Sequence, residues 1–263
     1  MTGRRSQVLL EDPELAEHLS GERLVSAVRD CVTRTVHLPG GAWSPKGVGG
    51  IRDAIGLLIL DGLIVRRVGL GGRFGAELLG DGDLLRPWQR EDAGTTLPRT
   101  GRWRALRPCR IAVLDSDFAA RIGRYPEVTS ALFARAVRRS RHAAVSMAIV
   151  HQPRVDVRLE MLFWELADRW GSVHADGVRV PLELTHEVLG DLVAARRPTV
   201  SKALGELAER SAVVWTGEHW LLSGDPPTEL DAVGSISIRR PRSSSDSSAA
   251  PSGQSPTVGR QGL

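Results

Sequence analysis

The stretch Val180-Pro181-Leu182-Glu183-Leu184-Thr185-His186-Glu187-Val188-Leu189 decides how this chain is read, together with Arg197-Pro198-Thr199-Val200-Ser201-Lys202-Ala203-Leu204-Gly205-Glu206-Leu207. Thr185 is placed to cap a short helix, because its hydroxyl can satisfy a free N–H of the first turn. Glu187 suits the positive end of that helix's dipole. Val188, Leu189, Leu192 and Val193 supply its apolar face. Ala194-Ala195-Arg196 then makes a tight connection, and Pro198 opens a second helix where its missing N–H costs nothing. In that second helix Val200, Ala203, Leu204, Leu207 and Ala208 are expected to face inward, with Thr199, Ser201, Lys202 and Glu206 outward.

Two short amphipathic helices across a three-residue turn make a helix-turn-helix, whose second helix enters the DNA major groove. From Leu192 to Gly205 the basic residues Arg196, Arg197 and Lys202 stand without an acidic one. Phosphates and guanine edges call for that charge pattern. Residues 212–215, a Thr216-Gly217-Glu218 turn and residues 219–222 predict a hairpin, the wing of a winged helix. The competing reading is plainer: any helical hairpin has a polar outer face, and this one would then serve protein contacts.

Upstream, Val155, Leu159, Leu162, Phe163, Leu166 and Trp170 form a regular helical stripe that Gly171 ends, and it reads as core. Before it, Pro126 suits a helix start, and no proline follows until Pro153. Val128, Leu132, Phe133, Ala136 and Val137 share one face of this candidate helix. Some 25 residues would span about 37 Å, too long to lie buried against one small barrel. A helix that links two domains and pairs with its copy is the economical reading.

Residues 24–115 read as β-rich. Residues 57–60, then Asp61-Gly62, then residues 63–68 predict a hairpin with a type I′ turn. Gly71-Gly72 breaks the chain again before Phe74, Gly80-Asp81-Gly82-Asp83 makes another turn, and residues 111–114 end the series. Short strands with turn signals about every ten residues suggest a sandwich or barrel.

Composition excludes several classes. The 263 residues are 41% hydrophobic and 25% charged, which is compatible with a real core and long enough for two domains plus extras. No apolar run approaches the roughly 20 residues of a membrane span, and no secretory leader is visible, so a cytoplasmic protein is expected. Cys31 and Cys109 are the only cysteines, too few for a disulfide framework or a cysteine-held cluster. Seven histidines are scattered without an HxH or HExxH pattern, so no metal site can be placed. No catalytic constellation and no cofactor can be placed either, and the chain reads as a non-enzyme. The net charge is +4, but Arg239, Arg240, Arg242 and Arg260 against Asp246 put most of it in a tail. Residues 241–263 are rich in Ser, Pro and Gly and read as disordered.

The segment 158–222 resembles the C-terminal domain of the Crp/Fnr family of bacterial transcription regulators. The two quoted runs and the terminal hairpin carry the likeness, and the β-rich region with its long helix extends it to about 24–222. The resemblance implies an α+β fold: an N-terminal double-stranded β-helix (jelly roll), a long dimerisation helix and a C-terminal winged helix-turn-helix. The implied organisation is a helical lead-in over 1–23, a cyclic-nucleotide-binding-like jelly roll over 24–116 and a linking helix over 117–152. The DNA-binding domain follows over 153–224 and a tail over 225–263. It implies a homodimer on double-stranded DNA, with RNA polymerase and a small-molecule effector as further partners. By position, Arg197 and Lys202 would read bases or phosphates, while Arg196, Thr199 and Ser201 would hold the backbone. Pro198 stands where many members have a glutamate that accepts from cytosine, so the operator is expected to differ.

Nucleotide-binding members carry Gly-Glu after a G-D-x-x turn and an Arg-[Ser/Thr]-Ala about a dozen residues on. Here Gly82-Asp83-Leu84-Leu85 is followed by Arg86-Pro87, and Arg99-Thr100-Gly101 stands downstream. Proline removes a donor and arginine reverses the charge, so the cassette is half missing and cyclic AMP is not expected as ligand. Arg86, Arg99 and Thr100 are the remaining candidates for an effector site. Trp43, Trp88 and Trp103 could line an apolar pocket, although core filling is the commoner role. The alternative to a regulator is a module binding a cyclic nucleotide or other small ligand, with a helical end that makes protein contacts.

Overall fold

Two fifteen-residue strands, β4 (Gly56–Leu70) and β7 (Thr100–Leu114), pair antiparallel along most of their length and form the spine of the front half. The computed structural model describes residues 5–45, 48, 54–70, 73–87 and 100–227. The described residues belong to one compact unit. The expected Ser/Pro/Gly-rich tail beyond residue 227 lies outside the described residues, as do the Gly71-Gly72 break and Trp88.

The expected hairpin at Asp61-Gly62 is instead a bulge inside β4. Pairing with β7 continues through it, with register shifts between Ile59 and Ile64. The reason lies in the parity of the apolar residues. Before the bulge Leu57 and Ile59 face one core cluster while Leu58 and Leu60 face another. After it Ile64 takes the face of Leu57 and Ile59, and Leu63 and Val65 turn to a third cluster. Three register shifts between Ile59 and Ile64 flip which side chains point inward, so a single strand can serve three cores. Gly62 makes this possible at φ +124°, where a Cβ would collide with Cys109. Its N–H donates to Asp81 Oδ1 at 3.0 Å.

β2 (Val32–Leu38) joins β7 on the other side and β1 (Arg5–Gln7) joins β2. β5 (Arg73–Leu79) pairs with β4, so the path runs β1-β2-β7-β4-β5. β3 (Gly41–Trp43) adds to β7 and β6 (Leu84–Leu85) to β4. Among the described residues this antiparallel path stays open. Between β5 and β6 the expected Gly-Asp-Gly-Asp turn forms: the Asp83 N–H donates to the Gly80 carbonyl at 3.0 Å, and Gly82 adopts φ +80°. Trp43 and Trp103 stack edge to face with centroids 5.6 Å apart against the sheet's inner core, so they fill space.

The helical lead-in comprises α1 (Val8–Glu11), a 3-10 turn at Pro13–Ala16 and α2 (Gly21–Asp30), which runs on past residue 23. After β7, Asp115 caps α3 (Ser116–Ile122), its carboxylate accepting from Phe118 N–H at 2.9 Å. The chain then breaks before α4 (Pro126–Val150), which matches the expected 25-residue helix. Its apolar face is only partly covered. Val128 and Leu132 are buried, whereas Phe133 is 71% exposed and Ala136 is exposed. α5 (Val155–Trp170) buries Leu159, Leu162, Phe163 and Leu166, and Gly171 ends it.

Candidate nucleic-acid interface

The C-terminal region assembles the expected motif from its caps and turns outward. In α6 (His186–Leu192) Thr185 is the N-cap, its hydroxyl accepting from the Val188 N–H at 3.3 Å. Val188, Leu189, Leu192 and Val193 are buried. The turn is tight because Ala194 adopts φ +52° and the Ala195 N–H returns to the Gly190 carbonyl at 2.8 Å. A Cβ on Gly190 would sit 2.6 Å from the Ala195 carbonyl oxygen, so the close approach requires glycine there. α7 (Arg197–Glu209) follows, with Pro198 in its first turn. Val200, Ala203, Leu204 and Leu207 are buried as expected, whereas Ala208 is exposed and does not join the face.

A second sheet braces these helices. β10 (Val213–Trp215) and β11 (Trp220–Leu222) form the expected hairpin, with Gly217 at φ +101° in its turn. The sequence pattern gave no warning of β8 (Ser172–His174) and β9 (Gly177–Val180), whose pairing extends the sheet in the order β10-β11-β9-β8. They are too short for a periodic signal, and Asp176-Gly177 was their one turn mark. Trp220 ties sheet to helices: its ring lies 4.6 Å from Phe163 of α5, and its indole N–H donates to the Leu182 carbonyl at 3.1 Å.

Arg196, Arg197, Thr199, Ser201 and Lys202 all lie exposed on the first turns of α7. Among the described residues, neither Arg196 nor Arg197 makes a side-chain hydrogen bond or ion pair. Lys202 lies 3.6 Å from Glu206, one turn on, a weak surface pair. Ser201 is less free. Its hydroxyl donates to the Arg197 carbonyl at 3.1 Å and lies 2.8 Å from His186 Nδ1 on α6. His186 was not among the expected residues, although its place directly after the capping threonine puts it beside α7. Trp215, 39% exposed on the wing, also faces out near the start of α7.

This face opens on a cleft of about 1150 Å³. Gly40, Gly41 and Arg104 of the front sheet wall one side, and Glu187, Arg197 and Trp215 the other. The winged helix is held on the sheet by Arg67 of β4, which binds both Glu187 (2.9 Å) and Asp191 of α6. The Arg67 bond, with Arg104 and Arg197 nearby, holds the Glu187 carboxyl below its ordinary value. Burial pushes Asp191 up, and Arg67 draws it back only in part. Beneath this clasp Leu63, Val65 and Leu78 of the front sheet share one core with α5, α6 and α7.

The effector candidates do not come together in the described structure. Arg86 donates to the Ala54 carbonyl at 3.1 Å and is exposed. Arg99 lies outside the described residues, and Thr100 opens β7 opposite Gly69. Among the described residues no cluster of three or more His, Cys, Asp or Glu could hold a metal, and no helix is long and apolar enough to cross a membrane.

Fold and site together define a winged helix-turn-helix protein with an antiparallel front domain. Comparison with known proteins sharpens the class. Residues 157–226 match the Crp-like helix-turn-helix domain. A CRP-like cAMP-activated global transcriptional regulator of Mycobacterium tuberculosis is 29% identical over 147 residues, which is 56% of this chain and 64% of that regulator. Among solved structures, a CooA variant from Carboxydothermus hydrogenoformans covers 83% of this chain and 94% of its own, with a TM-score of 0.60 at 16% identity. A cyclic nucleotide-binding domain containing protein from Listeria monocytogenes covers 71% and 87%, with a TM-score of 0.57 at 15% identity. The family match places a Crp-like helix-turn-helix domain at residues 157–226, and the solved structures share the fold.

Proposed function

We propose that the protein is a homodimeric, sequence-specific DNA-binding transcription regulator of the cytoplasm, without enzymatic activity. α7 inserts its first turns into the major groove of double-stranded DNA. Arg197 and Lys202 read bases or phosphates there, and Arg196, Thr199 and Ser201 hold the backbone. One observation carries this reading: α7 opens with exposed Arg196 and Arg197 and has no acidic residue in its first turn. Cations at the positive end of a helix are locally unfavourable, so their place there needs a polyanion to explain it.

The second copy is proposed to lie on α4, where Phe133 (71% exposed) and Met147 (66% exposed) leave apolar surface uncovered. RNA polymerase is the further partner that a regulator of this class would engage. Cyclic AMP is not the proposed effector, because Arg86-Pro87 stands where a Gly-Glu pair would bind ribose and the Arg86 guanidinium is turned to a backbone carbonyl. Saturable cyclic AMP binding in a calorimeter would overturn that point. The function itself is tested by gel shift on a duplex from the gene's own upstream region. Wild type is expected to give a discrete complex that Arg197→Ala and Lys202→Ala weaken. Unchanged binding by both variants would overturn it.

A further inference from the structure

The cleft beside α7 has a basic residue on its far wall that the helix-turn-helix alone does not use. β7 carries four arginines, Arg102, Arg104, Arg107 and Arg110. Three are engaged: Arg102 sits over the Phe74 ring at 5.9 Å, Arg107 lies 3.9 Å from Asp81, and Arg110 is paired with Glu11. Arg104 is exposed and makes no hydrogen bond or ion pair among the described residues. It lines the same cleft as Arg197, and both guanidinium groups lie close enough to Glu187 to draw its carboxyl down. Like charges on facing walls repel, so folding gains nothing by placing them there.

The spacing of Arg104 from α7 is set by packing. Arg104 stands opposite Val65 of β4 and Ala42 of β3. Val65 belongs to the core shared with α5, α6 and α7, and Arg67, two residues on, clasps α6. The wall next to Arg104 is bare. A Cβ on Gly41 would meet nothing within 4 Å, and one on Gly40 only the Ala105 carbonyl at 4.0 Å. Gly41 is explained by its φ of +117°, but packing does not require glycine at residue 40. A wall without side chains lets another backbone pass close to the sheet.

Size and charge decide what enters. About 1150 Å³ exceeds the roughly 300–1,000 Å³ of small-molecule sites and suits a length of strand. Glu183 and Glu187 also line the cleft; Arg67 holds Glu187 at 2.9 Å, and Glu183 makes no ion pair among the described residues. Arg104 and Arg197 against that carboxylate leave a small positive excess, enough for one phosphate and not for a run of them. A helix seated in a major groove about 12 Å wide has a phosphate backbone along each flank.

We propose that Arg104 of the front domain is a DNA contact, binding one phosphate of the strand that flanks α7 on the side of the front sheet. Such a contact carries no base information; it adds affinity for any sequence and fixes how α7 sits in the groove. This role of Arg104 rests on the DNA-binding reading of α7.

The test is anisotropy titration of the full-length protein at several salt concentrations on two duplexes of equal length, one from the gene's own upstream region and one scrambled. Arg104→Gln is expected to weaken both by the same factor, about three- to tenfold, and to lower the slope of log K against log salt by about 0.9, the share of one phosphate. Arg104→Lys should keep the slope because it keeps the charge. Arg29→Ala removes an exposed arginine of α2 outside the cleft lining and should change neither quantity. Melting of each variant checks the fold. A neutral methylphosphonate scanned along the upstream duplex should find one linkage that weakens wild type and leaves Arg104→Gln unaffected. An unchanged slope for Arg104→Gln, or an equal loss with Arg29→Ala, would overturn the contact. A loss confined to the upstream duplex would mark a base reader and overturn it too. Wild type that binds neither duplex would strike the DNA-binding reading and this contact with it, whereas binding with an unchanged slope for Arg104→Gln strikes the contact alone.

Discussion

The arginines that brace the fold and those of α7 are used in opposite ways. Arg67, Arg135, Arg139 and Arg169 each satisfy their guanidinium forks on carboxylates, and Arg139 and Arg169 add a backbone carbonyl. Arg196 and Arg197 satisfy theirs on nothing among the described residues and stand in solvent at the start of a helix. The two helices of the motif sharpen the contrast. α6 obeys the dipole rule with Glu187 in its first turn, whereas α7 breaks it. Where one element follows local physics and its neighbour departs from it, the departure marks the functional surface.

The largest effect should come from breaking a structural arginine. Arg139→Ala leaves Glu77 in a partly buried site with only Arg66 beside it, and is expected to destabilise the fold by about 1.5–3 kcal/mol, as loss of hydrogen bonds to a charged group does. Urea unfolding measures this loss, and the DNA affinity of the molecules that remain folded should be unchanged. The solvent arginine should show the reverse. Arg197→Ala is expected to cost about 1–3 kcal/mol of DNA binding, the range of a single base-reading contact, with no loss of melting temperature.

Glu77 adds a pH dependence with a defined sign. Burial alone would raise its pKa, but the bonds to Arg139 and Arg66 outweigh burial and hold it below the ordinary glutamate value. A carboxyl depressed in the folded state stabilises above its unfolded value of about 4.3 and loses that contribution as pH falls through the folded value. Wild type should therefore exceed Glu77→Gln in stability at neutral pH, and the gap should close on acidification, as unfolding at about pH 7 and about pH 3.5 would show. Thr185→Ala removes the α6 cap and should cost about 1 kcal/mol in a melting experiment. Smallest of all, Thr199→Glu should stabilise the isolated fold by about 0.3–1 kcal/mol through the α7 dipole while weakening DNA binding. A gain in both would break the contrast between the two helices.

The helical parts were legible because each carried several agreeing signals. Thr185, the small-residue turn, Pro198 and an apolar face at helical spacing all point to one arrangement, and the motif formed within a residue of its expected bounds. α4 was legible in length for the same reason, starting at Pro126. Its apolar face was less so, because Phe133 turns away from the front domain, which α4 still meets at Arg135 and Arg139. Asp61-Gly62 misled because a turn and a bulge both use a glycine with positive φ. The parity of 57–60 against 63–65 was the deciding signal, since apolar residues on both faces admit a strand between cores. The interface face was visible as a charge pattern, but its internal brace of His186 and Ser201 depends on how α6 crosses α7. The clasp of Arg67 on Glu187 and Asp191 spans 120 residues and more of chain, a distance at which local pattern carries no information.

The central claim is that α7 reads DNA through arginines that form no hydrogen bond or ion pair among the described residues. Anisotropy titration of a labelled upstream duplex with wild type, Arg197→Ala and Arg139→Ala, at matched concentrations of folded protein, tests it most directly. The account predicts tight, salt-sensitive binding by wild type and folded Arg139→Ala, and a loss of about tenfold to a hundredfold for Arg197→Ala. Equal affinity of Arg197→Ala and wild type would contradict it.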